Sequence, residues 1–318
     1  MNAGLRVNPR CHHLLACWLI ALAAALTGCA SAARTAPIQG RLSPDRCLLV
    51  DTDAALDDIR AIAALARNRR ITAVIVTEGI ATPRRGAMAV AHLLAADRSL
   101  SIPIVIGSVA ATHFSEPWLS DVRANAERLN GFLSEAVALP SGTRPVDNDV
   151  SLWTRECTDV RVVVLGPWTS FVLYAPALGT KLHQVVAQGI PLEDVPSGTP
   201  PGFNCRYDME ACRQANQRRR PSSDDIWVDV PRDVAPPDDY APTAEMIGAL
   251  TVDGLPGILR VLLRANPGGW QGTLMSDDSV AVYVLHPEAF GAKAHHVEPT
   301  VSAAEIRALW LSAVNNAS

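Results

Sequence analysis

Asp51-Thr52-Asp53-Ala54-Ala55-Leu56-Asp57-Asp58 places four carboxylates within eight residues, the densest chemistry-bearing cluster in the chain. An apolar run, Cys47 to Val50, leads into it. From Asp57 to Asn68 the apolar residues Ile59, Ile62, Ala63 and Ala66 follow helical spacing. The carboxylates therefore fall at the junction of a strand and a helix start, where free N–H groups and the positive dipole end favour anions. So many close negative charges repel one another unless a cation neutralises them. Carboxylate oxygens are hard ligands, so the expected ion is Ca2+, with Mg2+ second. Helix capping would explain Asp57 alone, but not the whole cluster.

The elements that must hold this cluster alternate. Thr72 to Val76, Ile104 to Ile106, Val160 to Leu165 and Ile226 to Val230 read as strands, and Arg84 to Ala96 reads as a helix. Continuous apolar strands separated by helices predict a single α/β domain, with a largely parallel central sheet flanked by helices in a Rossmann-like arrangement. Ligands of such sheets bind beyond the carboxyl ends of the strands. Two proline-rich polar stretches, Pro191 to Gly202 and Pro231 to Pro242, read as long loops of the kind that line sites.

Five ordered segments carry a resemblance. Asp51-Thr52-Asp53 with Asp57-Asp58 resembles the DxDxxxDD motif of the inosine-uridine preferring nucleoside hydrolase family. Val164-Leu165-Gly166-Pro167-Trp168-Thr169-Ser170 resembles that family's LGPLTN segment, and Phe203-Asn204-Cys205-Arg206-Tyr207-Asp208-Met209-Glu210-Ala211 its FN…DPEA segment. Val230-Pro231-Arg232-Asp233-Val234 is similar to PLDV, and Ser276-Asp277-Asp278-Ser279-Val280-Ala281-Val282 to HDPLAV. Together they span Leu48 to Phe290.

The resemblance implies a calcium-dependent hydrolase of N-glycosidic bonds, turning a nucleoside into base plus ribose. It implies that Asp53 is a metal ligand and the general base, with Asp58 a second ligand. Thr169 would ligate through its backbone carbonyl. Asp278 would complete the shell and touch substrate, Asp57 and Asn204 would hold sugar hydroxyls, and Asp51 would orient the loop. An ion so held would bind the sugar hydroxyls and a water together, while carboxylates stabilise an oxocarbenium-like transition state.

The substrate region departs from the family pattern. Ile80 stands where the family has the asparagine of AGN, Gly202 where it has a glutamate, and Asp277 where many members have a histidine. Val195 to Pro201 replaces a glycine- and asparagine-rich segment. Each lost charged hydrogen bond weakens sugar binding by about 1.5–3 kcal/mol. A second reading is therefore a calcium- and sugar-binding lipoprotein that kept the metal and lost turnover. A haloacid dehalogenase-type phosphatase, suggested by Leu49-Val50-Asp51-Thr52-Asp53, needs a motif lysine that neither Lys181 nor Lys293 supplies. Trp153, Trp168 and Tyr207 are candidates for base stacking, with burial in the core the more ordinary role.

The N-terminus bounds location. Arg6 and Arg10 precede an apolar stretch from Leu14 to Leu26, and Leu26-Thr27-Gly28-Cys29 resembles a bacterial lipobox. The expected organisation is a signal peptide over 1–28, a lipidated Cys29 opening a tether over 29–43, and a hydrolase-like domain over 44–318. That places the protein on the bacterial cell envelope, lipid-anchored and facing the periplasm. Cys47, Cys157, Cys205 and Cys212 then remain in an oxidising compartment, enough for one or two disulfides of open connectivity. A net charge of −4 and no long basic run argue against a nucleic-acid partner. The expected partner is a small glycoside, with a homo-oligomer as the expected assembly if there is one.

Overall fold

The computed structural model describes residues 46–110, 114–131, 145–218, 224–235, 238–271 and 273–316, all within the compact unit Pro37–Ser318. The expected signal peptide, the tether and Cys29 lie outside the described residues, as do positions 236 and 237 of the second long loop.

The strands are β1 (Arg46–Thr52), β2 (Ile71–Val76), β3 (Ile104–Ile106), β4 (Asp159–Val164), β5 (Leu182–Gln188), β6 (Ile226–Val228), β7 (Phe290–Lys293) and β8 (His296–Pro299). The helices are α1 (Leu56–Asn68), α2 (Pro83–Ala95), α3 (Leu119–Ala126), α4 (Val146–Trp153), α5 (Thr169–Leu178), α6 (Phe203–Tyr207), α7 (Met209–Arg218), α8 (Ala244–Gly248), α9 (Gly254–Ala265), α10 (Ser276–Leu285) and α11 (Ala303–Asn315). The sheet order is β3-β2-β1-β4-β5-β6-β8-β7, parallel throughout except for the β7–β8 hairpin at one edge. This is the expected single α/β domain with helices on both faces.

Alternation along each strand divides the core in two. Leu48, Val50, Val74 and Val76 face the layer that contains α1, α2, α9, α10 and α11. Leu49, Ala73, Ile75, Val162 and Val164 face the layer of α4, α5 and α7. These side chains are at most 1% exposed, and burying each of the leucines, valines and the isoleucine contributes about 1.5–3 kcal/mol. Two disulfides form, Cys47–Cys157 and Cys205–Cys212. The first ties the start of β1 to the segment entering β4 and closes a sequence separation of 110 residues. On a chain-entropy basis such a loop is worth about 4–5 kcal/mol.

The chain runs outward from β1 to β2 and β3, then returns to β4 on the other side of β1. That reversal opens a crevice at the carboxyl ends of β1 and β4. Asp53 follows β1 directly, and the Leu165–Trp168 turn follows β4. No described helix is long and apolar enough to cross a membrane.

Candidate active site

The β1–α1 turn shapes the site. Ala54, fully buried, takes a left-handed φ of 56°, a conformation that costs a residue with a Cβ about 1–2 kcal/mol. The surrounding bonds hold it there: the Ala54 N–H donates to Thr52 Oγ1 at 3.0 Å, and the Thr52 hydroxyl donates to Asp58. The Asp53 N–H donates to Asp58 Oδ1 at 3.2 Å. Asp53 Oδ2 accepts from the Ile80 N–H at 2.8 Å. The carbonyls of Gly79 and Ile80 are in turn gripped by Arg123 of α3, each at 2.7 Å. Asp53 is thus fixed by a turn that is itself fixed.

Two glycines make this possible. A Cβ on Gly79 would lie 2.1 Å from Asp53 Oδ2, and one on Gly166 would lie 2.7 Å from the Asp53 nitrogen. Replacing Gly79 with alanine is therefore expected to cost about 1–3 kcal/mol in denaturant unfolding, through overpacking against Asp53. Gly202→Ala is the control: its Cβ would meet nothing within 4 Å, so a change within about 0.5 kcal/mol is expected. Equal effects at both positions would mean that Asp53 is not held in this way.

Asp57 and Asp58, at the start of α1, and Asp277, at the start of α10, bring one carboxylate oxygen each to within 4.8 Å of one another. Asp53 lines the same cavity, which has a volume of about 630 Å3. Burial, and next the neighbouring Asp58, push Asp53 well above the usual carboxylate range. The same causes push Asp57 up to about 7. Asp277 is raised by burial and then by Asp58 and Asp57. Without a cation these groups retain protons at pH values where an ordinary aspartate is ionised.

Asp51 faces away from the cavity. It accepts from the Thr77 hydroxyl and, at 3.0 Å, from Tyr174, and burial raises it to about 7. It ties β1 to the β2 end and to α5.

Asp278 departs from its expected place in the metal shell. Its carboxylate is clamped by Arg60, with Nε at 2.9 and 3.1 Å and Nη2 at 2.7 Å, and both side chains are fully buried. Successive helical residues point about 100° apart, so α10 can aim only one of the pair at the cluster, and that one is Asp277. Thr169, the first residue of α5, is not part of the cavity lining, and its hydroxyl donates to Asp208 at 2.8 Å. Asn204 does line the cavity, with its amide donating to the Leu165 carbonyl and, at 3.1 Å, to Gln188. Phe203 lines it as well, whereas Trp168 packs on Phe171 and Trp227 in the core, Tyr207 is buried and Trp153 lies exposed on α4.

Sequence reasoning missed Asp277 as the inward residue, and it missed Arg60, Gly79 and Gly166. Arg60 had a readable signal: a charged residue inside the apolar stretch from Ile59 to Ala66 must find a buried counter-charge. The glycines sat within segments already singled out, but a close approach leaves no mark in the sequence beyond the glycine itself.

The carboxylate set suits a hard cation. Three oxygen donors converge within 4.8 Å, and among the described residues no hydroxyl, ammonium or guanidinium donor hydrogen-bonds to Asp57 or Asp277. Mutually facing carboxylates of this kind need a cation or protons.

No protein-family model matches the sequence, and no curated protein is similar enough to match it. Solved structures do match. An inosine-guanosine nucleoside hydrolase superposes with a TM-score of 0.63 at 16% identity, covering 86% of this chain and 99% of that one. A plant nucleoside hydrolase gives 0.62 at 12% identity, with 86% and 99% covered. The inosine-uridine preferring nucleoside hydrolase of Bacillus anthracis gives 0.59 at 12%, with 85% and 99% covered. The chain thus shares its fold with nucleoside hydrolases.

Proposed function

We propose that the protein hydrolyses the N-glycosidic bond of a nucleoside or a related glycoside, with Ca2+ held by Asp53, Asp57, Asp58 and Asp277. The convergence of these carboxylates at the carboxyl edge of the sheet, in a fold shared with nucleoside hydrolases, carries the reading. Such an ion would acidify a water and fix it in place. Asp53, oriented by the Ile80 N–H, would take the proton from that water as it attacks the anomeric carbon. The ring of carboxylates would offset the positive charge developing on the sugar. Asn204, anchored on Leu165 and Gln188, would position the substrate from the opposite chain segment.

Ile80 keeps the second reading alive, because it lines the cavity where an amide would grip sugar. A protein that binds calcium and sugar without turnover would share every carboxylate. The expected lipid on Cys29, and with it a place on the periplasmic face of the cell envelope, belongs to the same proposal.

The test is calcium titration by calorimetry, with base release from a nucleoside panel assayed in the same samples. Calcium binding is expected, together with base release that falls at least about a hundredfold in Asp53→Asn. Calcium binding without turnover of any nucleoside would favour the binding protein. Absence of calcium binding would overturn both readings.

A further inference from the structure

The cavity that holds the carboxylates is also lined by two guanidinium groups, Arg206 and Arg232. Arg232 is committed, with Nε and Nη2 on the two oxygens of Asp229 at 3.1 and 3.0 Å. Arg206 is committed at one end only. Its Nη1 is ion-paired to Glu116 at 3.2 Å, its Nε is buried without a partner, and Nη2 makes no hydrogen bond among the described residues, with the side chain about a third exposed. The guanidinium carbon lies 5.9 Å from the centre of the Phe114 ring, which holds the group in place by its face. The buried Nε cannot reach a ligand, but the guanidinium, on a side chain that lines the cavity and is about a third exposed, can donate through Nη2 to an acceptor placed there. Its planar fork matches the oxygens of an oxyanion better than it matches a neutral hydroxyl.

We infer that Arg206 recognises a phosphoryl group on the sugar, which makes the substrate class a phosphorylated glycoside. The inference rests on the proposed function, because it takes the carboxylates as the metal end of the cavity. Charge then sorts the substrate: the hydroxyls go to the cation and the anion goes to Arg206. Pro196, Pro200 and Pro201, which also line the cavity, add no competing charge. The volume of about 630 Å3 lies well within the range of small-molecule sites and leaves room for more than a sugar.

Calorimetry on the full-length protein in excess calcium tests this by comparing ribose 5-phosphate with ribose. The phosphorylated sugar is expected to bind at least about tenfold more tightly, an advantage that falls to about twofold or less in Arg206→Gln. Arg206→Lys, which keeps the charge and loses the fork, retains part of the advantage and so separates lost recognition from lost folding. Arg232→Gln leaves the advantage intact. Equal binding of the two sugars, or an advantage that survives Arg206→Gln, would overturn the inference while leaving the hydrolase standing. If calcium fails to bind, the proposed function falls, and inorganic phosphate titrated alone decides about Arg206. Phosphate binding lost in Arg206→Gln would uphold the anion site, and identical behaviour of the two proteins would overturn it.

Discussion

Arg60→Met is expected to destabilise the fold by about 3–5 kcal/mol, the cost of leaving one half of a fully buried ion pair alone. Asp278 accepts three contacts of 2.7 to 3.1 Å from Arg60, and neither side chain is exposed at all. Methionine fills much of the volume and supplies none of the charge. Asp278 would then be buried without a counter-charge and near Asp58, and taking up a proton sets the ceiling on what the loss can cost. Burial already raises Asp278 while Arg60 opposes the shift, so removing the guanidinium pushes the carboxyl further up. The pair joins α1 to α10, the two helices that present Asp57, Asp58 and Asp277. In Arg60→Met/Asp278→Leu no buried charge is stranded, and most of the loss should be recovered. Denaturant unfolding of the wild type, Arg60→Met and the double variant reads this directly. A single variant costing less than about 1 kcal/mol, or a double variant no better than the single, would mean the pair does not hold the helices together.

How far the sequence could be read follows from the same residues. β1, β2, β3, β4 and β6 are short apolar runs, and fully buried parallel strands look like that from sequence. β5 was missed because His183, Gln184 and Gln188 interrupt its apolar pattern, although Val185, Val186 and Ala187 are buried. The β7–β8 hairpin was missed because it is short and lies at the sheet edge, where burial imposes little pattern. The acidic cluster was legible because its charges are contiguous and its position between strand and helix is set by the pattern around it. The choice between Asp277 and Asp278 was not legible, because adjacent residues on a helix differ only in azimuth. The buried cation on the neighbouring helix decides that azimuth, and Arg60 lies 218 residues away in sequence.

Removing metal should make stability fall as pH rises, the reverse of ordinary acid denaturation. An unfolded aspartate titrates near 3.8, whereas Asp51 and Asp57 in the fold are raised to about 7 and Asp53 and Asp277 are raised well above their usual range. Between about pH 4 and 7 the metal-free fold therefore holds more protons than the unfolded chain, and stability declines with pH across that window. One unit of upward shift is worth about 1.4 kcal/mol, so Asp57 alone makes the part of the decline that belongs to the cluster several kcal/mol. Asp51, held by Thr77 and Tyr174 outside the cavity, adds a part that metal does not touch. A divalent cation binds the ionised cluster and not the unfolded chain, so excess calcium should restore the cluster's share of the loss at the upper end and matter least at the lower. Thermal unfolding in chelator and in calcium, at about pH 5 and about pH 8, resolves the four cases. The expected order is a lower melting temperature in chelator at pH 8 than at pH 5, with calcium narrowing the gap. A chelator profile that is flat or rises with pH would show that the carboxylates find other partners. A calcium effect equal at both pH values would show that the cation binds outside the cluster.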